Sequence, residues 1–195
     1  MKKLFVACLL GLALSAAVSA QSGNTYFNIG LIGTRMAQPE FPELRSNYGI
    51  DVNIGQTFPL IGESFCIGVD FTWLDVAYTD YKIKHITSDA TNSYRYGQWD
   101  LAMQLGPCLS ISMGSMRLHG YFRYAPTYSI LTKPEAKYGN YATNFVTGGS
   151  ISFGAIGLGA EYRYGNCNYK NFTSSTPSPK AVNLSGWKAY ITFRF

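Results

Sequence analysis

The side chains of this sequence that could do chemistry are few: two histidines, four cysteines and a set of evenly spaced charges. His119 stands in "MRLHGYFRY", where Arg117, His119, Tyr121 and Arg123 fall on one face and Leu118, Phe122 and Tyr124 on the other. A hydrolase needs a nucleophile, a base and a group that orients the base. His119 has no serine on its face of its own strand, although Ser110 should lie across from it on the preceding one. His85 sits near Thr87 and Ser88 in a segment that reads as a loop. No spacing of His, Cys, Asp or Glu resembles a metal site. The expectation is a chain without catalytic, cofactor or metal residues, in which His119 is a satisfied interior side chain.

The elements that must position these groups follow one rule. Apolar and polar residues alternate with a period of two, the pattern of a strand with two different surroundings. "FNIGLIG", "YGIDVNIGQTF", "FCIGVDFTW", "WDLAMQLGPCLSISM", "MRLHGYFRYAPTY", "FVTGGSISF", "IGLGAEYRY" and "SGWKAYITFRF" give eight such strands. Strands two and three are joined by Pro59 to Ser64, four and five by Gly114-Ser115, and six and seven by Gly154-Ala155. The Gly-first pairs suit type II′ hairpins. They set Ile111 opposite Leu118, Leu105 opposite Tyr124, Ile151 opposite Leu158 and Gly148 opposite Glu161. The remaining links are long: 35–47, 75–98, 130–144 and 165–186. Short links therefore lie at one end of an up-and-down sheet and long ones at the other.

Residues 1–20 read differently. Lys2 and Lys3 precede an apolar run that includes Cys8, and Val18-Ser19-Ala20 forms a small-residue cleavage site before Gln21. This is the pattern of a secretory signal peptide, leaving residues 21–195 as one domain. Without Lys2 and Lys3 the formal charge falls from +5 to +3, too mild to argue for nucleic acid.

The apolar faces of all eight strands together contain no charged residue. The other faces carry Asp51, Asp70, Asp100, Glu161, Arg117, Arg123, Arg163, Lys188 and Arg194, with many Gly and Ser. A soluble barrel would hide the apolar face, whereas a membrane barrel turns it to lipid and encloses the charges. Aromatic residues near strand ends (Tyr48, Phe58, Phe65, Trp73, Trp99, Tyr164, Trp187, Phe195), strands of about 9–11 residues and the alternating link lengths favour the membrane. An eight-stranded interior is filled by side chains. The near-balanced charges there predict a paired polar network that plugs the lumen.

The last strand places Trp187, Ile191, Phe193 and Phe195 on one face and ends on Phe. It resembles the C-terminal signal of bacterial outer-membrane proteins. The chain as a whole resembles small OmpA/OmpX-like barrels, and in particular the outer-membrane β-barrel domain family of Bacteroidetes type. That resemblance implies an all-β, eight-stranded antiparallel up-and-down transmembrane barrel in the outer membrane of a Gram-negative bacterium. It also implies a last strand read by the barrel assembly machinery and closed against the first, and contact with outer-membrane lipid. The expected role is structural, or binding of an extracellular ligand by the long loops, as a monomer without cofactors. A narrow porin-like channel and a lipid A-modifying enzyme are the alternatives. Against the enzyme, the His-x-Ser motif of deacylase-type barrels is absent, since Gly120-Tyr121 follows His119, and no amphipathic helix precedes the first strand. The loops should expose Tyr78, Tyr81, Tyr94, Tyr96, Tyr138, Tyr141 and Tyr169. "SSTPSPK" at 174–180 reads as a flexible tip.

Three finer expectations concern single residues. Pro107 suggests a bulge that would exchange the faces beyond it, and Pro126 marks the end of strand five. Cys66 and Cys108 both point inward near the short-turn end. Pairing them sets Asp70 opposite Gln104 and Trp73 opposite Leu101, so a disulfide between them is expected, with Cys167 left over.

Overall fold

The computed structural model describes residues 24–38, 41–87, 90–132, 137–171 and 182–195. The signal segment at 1–20 and the tip at 174–180 lie outside the described residues. The strands are β1 (Thr25–Gln38), β2 (Phe41–Ile61), β3 (Phe65–Thr87), β4 (Ala90–Met113), β5 (Met116–Thr132), β6 (Lys137–Phe153), β7 (Ile156–Cys167), the two-residue β8 (Lys170–Asn171) and β9 (Val182–Arg194). Each wall strand pairs antiparallel with its chain neighbours, and β5 pairs β6. Closure comes from β9, which pairs β7 on one side and β1 on the other, from Tyr26↔Arg194 to Ala37↔Asn183. Eight strands thus form a closed barrel, with β8 a short addition to β6. Closure leaves no sheet edge around the wall.

Turn chemistry sets the register at the short-turn end. Gly114 and Gly154 have φ of 60° and 58°, and among the described residues no non-glycine residue has positive φ. That combination fits type II′ and not type I′, which would need positive φ at Ser115 and Ala155 as well. The expected pairs Ile111↔Leu118, Leu105↔Tyr124, Ile151↔Leu158 and Gly148↔Glu161 are all present.

Several expectations are corrected. The long links are largely strand: β3 and β4 remain paired as far as Thr87↔Ala90, well past the expected loop start at Asp75. The strands are accordingly 12 to 24 residues long, apart from β8. Trp73 and Trp99 lie within strands rather than at their ends. Pro107 causes no bulge: Val69↔Pro107 continues the register that runs from Phe65↔Ile111 to Thr72↔Gln104. Its ring lies on the exposed outward face, where a missing N–H is tolerated. Pro126 likewise stays within β5, paired with Thr143.

The irregularity between β3 and β4 lies instead in β3. Thr72 pairs Gln104 and Asp75 pairs Ala102, so Trp73 and Leu74 together oppose Met103. Both are exposed on the outward face. The extra residue inverts the parity, and Asp75, which a regular strand would have turned outward with Trp73, points into the lumen.

Candidate functional site

The lumen is the site to which the sequence assigned its charged residues. Asp51, Asp70, Asp100, Arg123, Glu161, Lys188 and Arg194 are all buried, and Arg117 and Arg163 are partly so. Asp75 adds a fifth acid to the four expected and matches the five bases. On the outside Ile50, Leu101, Leu105, Ile151, Leu158 and Ile191 are exposed. Room for the long side chains comes from glycine, since a Cβ at Gly55 or Gly159 would fall on the ring of Tyr26 or Tyr190.

The network has three linked parts along the barrel. Nearest the short turns, Asp70 accepts from Arg123, from Thr57 Oγ1 at 2.9 Å and from His119 Nε2 at 3.2 Å. The Arg123 guanidinium also lies 3.4 Å from the Tyr121 ring centre, within cation–π range. Gln104 connects this part to the next: its Oε1 accepts from Arg123 at 2.9 Å, and its Nε2 donates to Asp75 Oδ2 at 2.5 Å. Asp75 is shared with Arg163 at 2.5 Å, Glu161 stands 3.7 Å from Lys188 and 3.9 Å from Arg163, and Lys188 pairs with Asp51. Further toward the long hairpins, Asp100 accepts from Ser129 at 2.5 Å and Gln98 at 2.9 Å. Asp51, Asp70, Asp75 and Glu161 are tolerable in this enclosure because each faces a basic side chain, whereas Asp100 relies on Ser129 and Gln98. A void of about 30 Å³ remains against Asp51, Asp100, Glu161, Arg163 and Lys188. That is room for about one water molecule.

Ser110, His119 and Asp70 form a chain in the order of a hydrolase triad. Ser110 Oγ lies 2.8 Å from His119 Nδ1, and His119 Nε2 faces Asp70. Ser110↔His119 is a ladder pair, as the sequence implied, whereas Asp70 comes from β3 and was not foreseen in this role. The chemistry does not follow from the order alone. Ser110 is 2 % exposed, and none of the three lines the void described above. The backbone N–H groups that an oxyanion would need are committed to the ladders on either side. Asp70 is already bound to Arg123. The three residues belong to the buried hydrogen-bonded network of the lumen. Among the described residues no three His, Cys, Asp or Glu side chains are grouped as a metal would require.

The expected disulfide is not formed. Cys66 pairs Ser110 and Cys108 pairs Gly68, two positions away from the expected register, and Asp70 and Trp73 shift with them. Cys66, Cys108 and Cys167 are free and buried. The turn 62–64 is shorter than the expected 59–64 link, because β2 continues to Ile61, with Gly62 at φ 87°.

At the hairpin end the lumen changes character. Met36, Tyr81, Leu131, Ala142, Cys167, Tyr169, Val182 and Leu184 are buried there as one apolar cluster, packed against Leu44, Tyr96 and Tyr138. Tyr81 anchors it by donating to Gln98 at 2.6 Å. The expected row of exposed loop tyrosines is thus divided: Tyr81 and Tyr169 are interior, Tyr96 and Tyr138 half-buried, and Tyr141 is 76 % exposed. The side chains of Tyr94 and His85 lie outside the described residues. Outward positions at this height carry Arg35, Arg45, Lys82, Arg95, Lys137, Asn166 and Asn183, all exposed. The faces have exchanged their chemistry without exchanging their direction.

Compared with solved structures, the chain is similar to Neisserial surface protein A, with 13% identity, a TM-score of 0.55, and coverage of 89% of this chain and 98% of that one. The fold is that of the small outer-membrane barrels. Ail, the attachment invasion locus protein of Yersinia pestis, aligns with 13% identity over 89% of this chain and 99% of its own, at a TM-score of 0.44. The outer membrane enzyme PagL aligns with 10% identity over 87% and 99%, at 0.43. No family model and no curated protein matches the sequence. A shared barrel leaves the role to be argued from this chain's own residues.

The C-terminal residues singled out from the sequence sit at the closing seam. Trp187 and Ile191 are exposed on the outer face, Phe193 pairs Phe27, and Phe195 exchanges backbone hydrogen bonds with Thr25 at 2.9 and 3.3 Å.

Proposed function

We propose that this chain is an integral protein of a Gram-negative outer membrane, a sealed scaffold without catalysis that presents long hairpins for contact outside the cell. The observation that carries the reading is the reversal along the strands. At mid-height the outward face is apolar and the lumen charged; at the hairpin end the outward face is charged and the lumen apolar. Only a change of surroundings from lipid to water favours both halves of one strand. The Tyr78 and Trp99 rings, 4.8 Å apart and facing outward where the reversal begins, suit the interface.

Export by the signal segment and assembly through the β9 seam belong to this reading. So does a binding role for the hairpins, because β3 and β4 outrun their neighbours. The β2 ladder ends at Ser46↔Tyr81 and the β5 ladder at Gly97↔Thr132, whereas the β3–β4 pair continues to Thr87. Paired charges and the apolar cluster argue against a conducting lumen, and the buried Ser110 against a hydrolase.

The test is labelling of intact cells with a membrane-impermeant maleimide. Lys82→Cys should react and Leu105→Cys should stay shielded. Reaction at Leu105→Cys, or none at Lys82→Cys until the outer membrane is broken, would refute the orientation. Planar bilayers holding the folded protein should show no unitary current steps.

A further inference from the structure

Four cations stand in one row on the outward face of four adjacent strands. Arg35 of β1 is the ladder partner of Arg45 of β2. Ser46↔Tyr81 sets Arg45 alongside Lys82 of β3, and Lys82 is the ladder partner of Arg95 of β4. All four are exposed. At a strand spacing of about 4.8 Å the row spans about 15 Å. Like charges directly opposite one another destabilise a sheet. This arrangement repeats the conflict twice, at Arg35–Arg45 and at Lys82–Arg95.

Among the described residues, acids relieve only one of the two pairs. Glu43 lies 2.5 Å from Arg35 and 2.7 Å from Arg45, and the hydrogen bond from Arg45 together with both guanidinium charges holds its carboxyl below the usual range. Asp80, next outward below Lys82, is buried and accepts from Asn47 at 3.2 Å. Among the described residues neither Lys82 nor Arg95 has a carboxylate partner. Two outward positions below this pair lie the Tyr78 and Trp99 rings, and Tyr48 is exposed below Arg45. The row therefore follows the apolar belt at the height where lipid headgroups would meet the barrel.

We propose that Arg35, Arg45, Lys82 and Arg95 form a docking site for phosphate-bearing headgroups of the surrounding outer leaflet. Arginine forks suit bidentate contact with phosphate, and a headgroup bearing two phosphates can engage both halves of a 15 Å row at once. A lipid is favoured over a soluble polyanion because the site lies on the wall of the barrel, directly above the lipid-facing surface. The proposal rests on the membrane reading given above.

The experiment reconstitutes the full mature protein in phosphatidylcholine nanodiscs doped with bisphosphorylated lipid A or with its dephosphorylated form. Retained lipid is counted by native mass spectrometry. The wild type should enrich the bisphosphorylated lipid, with loss of about fivefold per cation removed in Lys82→Gln/Arg95→Gln and in the fourfold glutamine variant. Lys137→Gln, outside the row, should change it by less than about twofold. Equal retention of the two lipids by the wild type, or undiminished enrichment in the fourfold variant, overturns the site. Inorganic pyrophosphate competing as well as the lipid would transfer the site to free phosphate and overturn the lipid assignment. Should the fourfold variant not fold, the two-lipid comparison on the wild type, repeated at high salt, decides. A wild type that fails to insert into nanodiscs at all would sink the membrane reading instead.

Discussion

Two regions of one lumen, built by the same strands, solve opposite problems. At mid-height Asp70, Asp75 and Glu161 are enclosed with Arg123, Arg163 and Lys188. At the hairpin end the same inward face holds Met36, Leu131, Val182 and Leu184. The difference teaches that the interior of this barrel is set by what lies outside it. Where the outer face must be apolar, the polar residues have only the lumen to occupy. Where the outer face can be wet, the lumen must supply the hydrophobic burial that holds the strands together.

The largest effect should come from opening the mid-height network. Arg123→Ala removes the partner of Asp70 and of Gln104 and should cost about 3–5 kcal/mol in urea unfolding from vesicles. Replacing both partners, Arg123→Met with Asp70→Leu, should cost less than Arg123→Ala alone, because no charge is then stranded. A double variant as unstable as the single one would show that packing, not charge pairing, holds this region.

A smaller effect tests the boundary between the regions. Leu105→Arg should cost about 2–4 kcal/mol if it faces the bilayer midplane. The same side chain introduced at exposed Asn183, on the outward face of the hairpin end, should fall within about 0.5 kcal/mol. Equal costs at the two positions would erase the distinction between lipid-facing and water-facing wall.

Next come the groups that cap the lumen. Leu131→Ala should cost about 2 kcal/mol as a partial cavity, and Tyr81→Phe about 1 kcal/mol through its lost bond to Gln98. If Leu131→Ala leaves stability untouched, the apolar cluster is cover rather than core. The smallest effect concerns the thiols: with residues 1–20 removed, the unfolded, non-reduced protein should titrate as three free cysteines, Cys66, Cys108 and Cys167. A count of one would restore the Cys66–Cys108 bond and require β3 and β4 to slip from the register described.

By itself the sequence determined the number of wall strands, the direction of each central face and two hairpin registers. Period-two alternation and Gly-first turns are local, and nothing distant was needed to interpret Leu105 as outward or Glu161 as inward. The charges on the inward faces are buried or partly buried for the same reason. Tertiary structure decided the rest. A single extra residue at Trp73–Leu74 turned Asp75 inward. Its trace in the sequence is two adjacent apolar residues, followed by Asp75, Ala77 and Thr79 in the opposite phase to Asp70 and Thr72, which resembles a strand giving way to a loop. Separately, the register of β3 on β4 sets Cys66 opposite Ser110 rather than Cys108. The meeting of Ser110 and His119 with Asp70 depends on contact across the interior, and the apolar cap draws residues from β1, β3, β5, β6, β7 and β9 together. Alternation tells a residue which way to point. Only closure of the barrel, with its register shifts and its pairing of β9 to β1, determines what that residue meets.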